Sequence, residues 1–440
     1  MKKAILIILI SGLFVSFGSS QKLLDIYKNG PVKLVPDKSY GAKNNWETLF
    51  NLYYDTLNTH GQFREMDKKI IIAPDGSVFM SHNNRYEIWK FSPDGNFVKS
   101  FGSKGGKPNQ FPMRPDIQPV VNGKYVFTSD VNGRLKFFDL DGNYIKSITL
   151  KYMAFNFQPL NNGEILLHGM VLWKAGWRNI IVKLNVTSGS ENIIHDYFTD
   201  YGVSLTLKNV DSLITLIKAK RNIRLPDSSP FMSRPVISFL RDGQFIISNS
   251  MTGGMKVYST NGKEKLNTKM DIEPVSITED DVKQNYEKMR QNYLKAIEDL
   301  KKIPLNSDEH IQTFPSTSNE YIQRYININQ KFLDNSDIYK DIKNYYPYLP
   351  YFSNIILDDE GNFLVFEFTG KEDAVNNVFN VIAYDNTGKK LARTSFTCDD
   401  YDLSFSESTF IISKGYVYAV AKMKNYTGMP LRLVKFKMTN

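Results

Sequence analysis

Residues 75–101 read DGSVFMSHNNRYEIWKFSPDGNFVKSF, and the punctuation of this stretch decides the fold. Asp75-Gly76 and Asp94-Gly95 set two glycines 19 positions apart. Between them lie two short apolar runs, Val78-Phe79-Met80 and Ile88-Trp89-Lys90-Phe91, and a third run, Phe97 to Phe101, follows. Asp-Gly and Asn-Gly are the pairs that accept the positive φ of tight hairpin turns. Two such turns, enclosing two strands and flanked by one more on each side, describe a four-stranded antiparallel meander.

Working outward, the same stride of 19 recurs between Gly123 and Gly142 and between Gly243 and Gly262, each preceded by Asn or Asp. Looser copies begin at Asn162-Gly163, Glu360-Gly361 and Lys414-Gly415, the first two with second turns at Ser188-Gly189 and Thr387-Gly388. One small sheet cannot bury both of its faces, and stacking copies radially solves that problem. The expectation is an all-β chain, a six-bladed β-propeller with units starting at glycines 76, 123, 163, 243, 361 and 415. A degenerate unit around Leu205 to Ile217 would make seven blades. The last unit reaches Asn440 after its third strand, so Val32 to Val35 is expected to supply the fourth and close the ring, removing an open sheet edge.

Residues 88–111, IWKFSPDGNFVKSFGSKGGKPNQF, resemble the linker of NHL-type repeats: an apolar strand, a D-G turn, Phe-Gly, and a Gly-x-x-x-x-Gln-Phe run into the next blade. His60-Gly61-Gln62-Phe63 repeats the end of that pattern. The chain is similar to NHL-repeat-like six-bladed propellers of the type exported by Bacteroidota, over residues 60–150 above all, then 230–270 and 350–440. The resemblance implies fold more than activity, because propellers host lyases, lactonases, lectin-like binders and scaffolds.

Met1-Lys2-Lys3, the apolar run Ala4 to Phe17 and the small residues Gly18-Ser19-Ser20 have the order of a secretory signal peptide, expected at 1–20 with the mature propeller at 21–440. The run is shorter than the roughly 20 residues a membrane-spanning helix needs, and no second spanning stretch follows. The mature chain is therefore expected to be periplasmic or extracellular at the cell surface, with no transmembrane segment. The only cysteine is Cys398, which leaves no lipidation site at the cleavage point and no intramolecular disulfide. The net charge of +9 is scattered, apart from Lys218-Ala219-Lys220-Arg221, and gives no basic stripe for nucleic acid.

Residues 271–350 break the repeat. Thr278-Glu279-Asp280-Asp281 reads as a helix start. Val282, Tyr286, Met289, Tyr293, Ala296 and Leu300 then fall on one helical face, and Pro304 ends the pattern. A second, weaker helix is expected over Asn319 to Phe332. The apolar stripe suits packing on the propeller's edge or docking of a partner. The insertion closes with Tyr345 to Phe352, placing Tyr348, Tyr351 and Phe352 at a mouth of the central channel, where rings stack on sugars or apolar ligands or plug the opening.

Arg114-Pro115 and Arg234-Pro235 share an offset, nine residues before Gly123 and Gly243. Both arginines are expected near the axis, holding a carboxylate or phosphate or pairing with blade carboxylates. The five histidines lack ligand spacing. Asp139-Leu140-Asp141-Gly142-Asn143 resembles the start of a calcium loop, but Leu150 stands where the loop's closing Glu belongs. No catalytic or metal residues are assigned, and no cofactor is indicated. The expected function is an envelope binding or scaffold protein that takes a glycan, a peptide or an envelope protein at the channel mouth. The alternative is a hydrolase or lyase whose metal ligands come singly from several blades. A quinone-dependent electron-transfer propeller is a third, weaker class.

Overall fold

Every glycine at a repeat turn, from Gly76 to Gly415, has φ between +66° and +91°. At Asp75-Gly76 the Ala73 N–H donates to Ser77 O (2.8 Å) and the Gly76 N–H to Ala73 O (2.9 Å), while Asp75 Oδ1 accepts the Ser77 N–H (2.9 Å). Only the glycine is left-handed there, so this is a type I turn closed by a glycine bulge. Asn122 (φ 51°) and Lys414 (φ 52°) share the positive φ of the glycine that follows, which makes two-residue turns of the mirror type. Asp139 uses its carboxylate in the same way, accepting the Asp141 and Asn143 N–H groups and the Asn143 amide, so the calcium-like stretch is a turn.

The computed structural model describes residues 23–440 except 51–68, 83–84, 114, 131, 174–175, 201–234, 241, 303–322, 324–325, 328, 331–332, 335, 346, 369–377 and 404–409. Helix α1 (Leu23–Lys28), strand β1 (Val32–Pro36) and helix α2 (Trp46–Phe50) precede the repeats. Four antiparallel meanders follow. They are β2 (Ile70–Ile72), β3 (Val78–His82), β4 (Glu87–Phe91) and β5 (Phe97–Phe101); β6 (Asp116–Val121), β7 (Tyr125–Ser129), β8 (Arg134–Asp139) and β9 (Tyr144–Thr149); β10 (Met153–Pro159), β11 (Glu164–Trp173), β12 (Gly176–Asn185) and β13 (Glu191–Asp200); and β14 (Pro235–Phe239), β15 (Phe245–Asn249), β16 (Gly254–Tyr258) and β17 (Glu264–Lys269). After the insertion come β18 (Phe352–Leu357), β19 (Phe363–Glu367), β20 (Val378–Tyr384) and β21 (Lys390–Thr397), then β22 (Tyr401–Asp402), β23 (Phe410–Ser413), β24 (Tyr416–Met423) and β25 (Leu431–Thr439).

The last sheet is completed from the other end of the chain. β1 pairs antiparallel with β25, Leu34 opposite Met438 and Val35 opposite Lys437, and also touches β21 of the preceding sheet in parallel at Val32 and Lys33. The described residues thus form four four-stranded sheets and one nine-stranded sheet, whose β18–β21 part (the fifth sheet) and β22–β25 part (the sixth) are joined through β1. Each interface between consecutive sheets has its own core. Phe79 and Ile88 meet Ile117 and Phe138; Phe127 and Phe137 meet Phe157 and Ile165; Leu166 and Ile181 meet Phe239 and Phe245. Met255 and Val257 meet Phe363 and Ile382, Phe366 and Phe396 meet Phe410 and Phe436, and Val420 and Leu433 return to Val78 and Trp89 of the first sheet. The period of two in a strand explains this economy: Val78 and Met80 face one neighbouring sheet and Phe79 the other. Each such side chain contributes about 1.5–3 kcal/mol on burial. The sheets therefore form a β-propeller. The candidate seventh unit, 205–217, lies outside the described residues; the third and fourth sheets adjoin each other directly.

The insertion holds helix α3 (Glu279–Lys301), opened by a reciprocal cap: Thr278 Oγ1 accepts the Asp281 N–H (3.1 Å) and Asp281 Oδ2 accepts the Thr278 N–H (2.9 Å). Val282, Met289 and Ile297 are buried on its inner face. That face meets the insertion's own return segment: the Tyr286 hydroxyl lies 3.2 Å from Ser336 Oγ, and the Tyr345 hydroxyl donates to Tyr339 O. Pro304 and most of 319–332 lie outside the described residues. The two ends of the insertion are zipped together, with Ser276 bridged to Tyr348, the Ile277 N–H donating to Pro347 O (3.0 Å) and the Leu349 N–H to Val275 O (2.8 Å). Among the described residues no helix is long and apolar enough to cross a membrane.

Candidate functional site

Strands β2, β6, β10, β14, β18 and β23, one from each sheet, stand innermost, and together they wall a central cavity of about 700 Å3. Its polar lining has one source in the repeat. Lys69, Asp116, Asn156 and Asn354 all line the cavity, and each lies seven residues before the first turn glycine of its unit: Gly76, Gly123, Gly163 and Gly361. The fourth sheet has Val236 at that position and contributes Ile237 and Phe239 to the wall. The equivalent position of the sixth sheet, 408, lies outside the described residues. The repeat thus brings one lysine, one aspartate and two amides to one level of the channel.

Three of the inner strands are irregular where they carry this layer. Register shifts occur between Gln118 and Val121, between Phe155 and Phe157, and between Phe352 and Asn354. Asn156 has φ 44° within β10, an uncommon backbone state for a residue other than glycine, and its Nδ2 donates to Ile237 O of the next sheet (2.9 Å). Bulges re-aim side chains and gather near functional sites.

Lys69 and Asp116 are organised by Gln118, which is fully buried. Gln118 Oε1 accepts from Lys69 Nζ at 2.6 Å, and its Nε2 donates to Asp116 Oδ2 at 2.7 Å and to Ser129 Oγ at 2.8 Å. Lys69 Nζ and Asp116 Oδ2 stand 3.6 Å apart, with side-chain exposures of 19% and 54%. The amide spaces the two charges and fixes both against the wall.

Arg114 and Arg234 lie outside the described residues; Pro115 lines the cavity and Pro235 opens β14. Tyr348 is exposed on the insertion's stem. Tyr351 and Phe352 are buried at 5% and 1% in the core between the fourth and fifth sheets, where the Tyr351 hydroxyl accepts from Lys269 Nζ (2.9 Å). None of these three aromatics lines the cavity. The polar layer was missed, although the sequence carried its signal: a polar residue seven before the turn glycine in four units, and Gln-Pro five before the glycine at 118–119 and 158–159.

Among the described residues no three His, Cys, Asp or Glu side chains converge as a metal-ligand set. His168 is buried with its Nε2 2.9 Å from Asn179 Oδ1, and burial holds its imidazole below the ordinary value. Burial raises the Cys398 thiol, which keeps it protonated and unreactive.

No family model matches the chain, and no curated protein matches it. Among solved structures it is similar to a member of the DUF4221 family from Bacteroides vulgatus (9% identity, 94% of this chain and 100% of that one, TM-score 0.44). A putative exported protein from Bacteroides fragilis gives 10% identity over 84% and 90%, with TM-score 0.42. Virginiamycin B lyase from Staphylococcus aureus gives 8% over 85% and 94%, with TM-score 0.36. At these values the likenesses carry no argument about activity, and the propeller assignment rests on the chain's own sheets.

Proposed function

We propose that this chain is an exported, six-bladed propeller that binds a small polar ligand in its central channel, as a binding or scaffold component of the cell envelope. The observation that carries the reading is the polar layer itself: Lys69, Asp116, Asn156 and Asn354, drawn from four sheets to one level of a cavity of about 700 Å3. A cavity of that size suits a small molecule, and polar groups that converge from several elements among apolar side chains are the usual mark of a ligand site. Export is supported by the basic start and apolar run at 1–17. The Arg114 and Arg234 proposal stands beside this as a second source of charge near the same channel. Tyr348 remains a candidate contact for a partner that approaches the insertion's stem.

The test is retention of a ligand from envelope extract. The purified protein and a Lys69→Met, Asp116→Asn double variant are each incubated with the extract, desalted and denatured, and the released small molecules are identified by mass spectrometry. The expected result is a compound retained by the natural protein and absent from the variant. Equal retention, or none by either, contradicts the reading.

A further inference from the structure

We infer that the channel site is built for a neutral carbohydrate of about disaccharide size; this rests on the channel reading above and names its ligand class. The argument begins with charge. Lys69 and Asp116 already compensate one another across 3.6 Å, and the buried Gln118 amide is hydrogen-bonded to both heads. A purely anionic or cationic ligand meets one head with attraction and the other with repulsion. A zwitterionic head has to compete with the existing pair. A hydroxyl group donates and accepts at once, so two neighbouring hydroxyls can accept from the ammonium and donate to the carboxylate without breaking the pair.

Capacity and shape agree with this. An ammonium has three donors, and among the described residues Lys69 Nζ makes one close hydrogen bond, to Gln118. Asp116 stays half exposed towards the channel. Asn156 and Gln158 add amides from the neighbouring sheet; each NH2 group gives one N–H to a backbone carbonyl, Ile237 O and Pro159 O, and each amide has a second N–H and an oxygen besides. Apolar side chains, Ile71 and Ile237 among them, stand between these polar groups and match the C–H faces of a sugar ring. The volume, about 700 Å3, exceeds what a single amino acid or inorganic anion fills and lies within the ordinary range for ligand pockets.

The experiment is saturation-transfer NMR followed by titration of the purified protein. Maltose, cellobiose, lactose and N,N′-diacetylchitobiose are the neutral probes, D-glucuronic acid the anion, and L-phenylalanine and glycylglycine the zwitterions. At least one neutral disaccharide is expected to bind saturably. Asp116→Asn and Lys69→Met are each expected to weaken it about tenfold or more, the usual effect of losing a hydrogen bond to a charged group. Asp116→Asn keeps the shape of the side chain and an acceptor for Gln118, so it remains informative if Lys69→Met fails to fold. Binding of the zwitterions or the anion without any neutral disaccharide overturns the ligand class and leaves the channel reading standing. Disaccharide binding that both variants preserve overturns the site. Binding of no probe overturns the carbohydrate inference, and the extract experiment then decides separately whether the channel holds a ligand at all.

Discussion

Gly142 carries two constraints at once. Its φ is +81°, and a Cβ placed on it would lie 2.6 Å from the Phe101 ring on the outer strand of the preceding sheet. Gly189 occupies the same turn of the next sheet with φ +73°, and nothing lies within 4 Å of where its Cβ would be. Gly189→Ala therefore measures backbone strain alone, about 1–2 kcal/mol. Gly142→Ala adds a clash between sheets and is expected to cost about 1–3 kcal/mol more. Urea denaturation of the two variants checks this, and equal losses would show that the sheets do not dock through that turn. The turn glycines were legible in the sequence because Asp-Gly and Asn-Gly announce a local backbone state. The reason Gly142 tolerates no side chain was not legible, since Phe101 lies 41 positions away and only the docking of two sheets brings them together.

At the scale of elements, the insertion is held by its own parts. The α3 face packs on 336–345, and its ends are joined through Ser276–Tyr348 and the flanking backbone bonds. Replacing residues 278–346 with a two-glycine link is expected to preserve cooperative unfolding and the far-ultraviolet strand signal. Loss of the cooperative transition would mean that the insertion is integral to the ring. Periodicity gave the helix and Thr278 its cap correctly, because both are local. It did not say what the stripe meets; among the described residues, Tyr286 on the helix meets Ser336 of the return segment. The same limit applies to the inner strands. Tyr351 and Phe352 are read from sequence as mouth aromatics, yet the strand that follows draws them into the core beside Lys269 and Ile355. The irregularities of β6 and β10 leave little trace in sequence beyond Pro119 and Pro159, residues that favour strand edges and irregularities, and the one before Asn354 leaves none.

At the scale of the molecule, the channel and its polar layer exist only if the ring is closed. Closure joins residues about 400 positions apart: β1 completes the sheet that ends the chain, and α1 beside it fastens the joint. The Tyr27 hydroxyl donates to Asp358 (3.3 Å), and the Leu23 N–H donates to Glu360 (2.9 Å). The need for a closing strand was legible because the last repeat is one strand short. The fastening was not, because α1 belongs to no repeat. The direct measurement is a cross-link between the two ends. In a Cys398→Ser background, Val35→Cys and Lys437→Cys place thiols on directly paired, exposed positions, within the span a disulfide accepts. Mild oxidation followed by peptide mapping is expected to give a bond within one chain that joins the segment around position 35 to the segment around position 437. Free thiols, or bonds formed only between molecules, would contradict the closed ring and with it the channel.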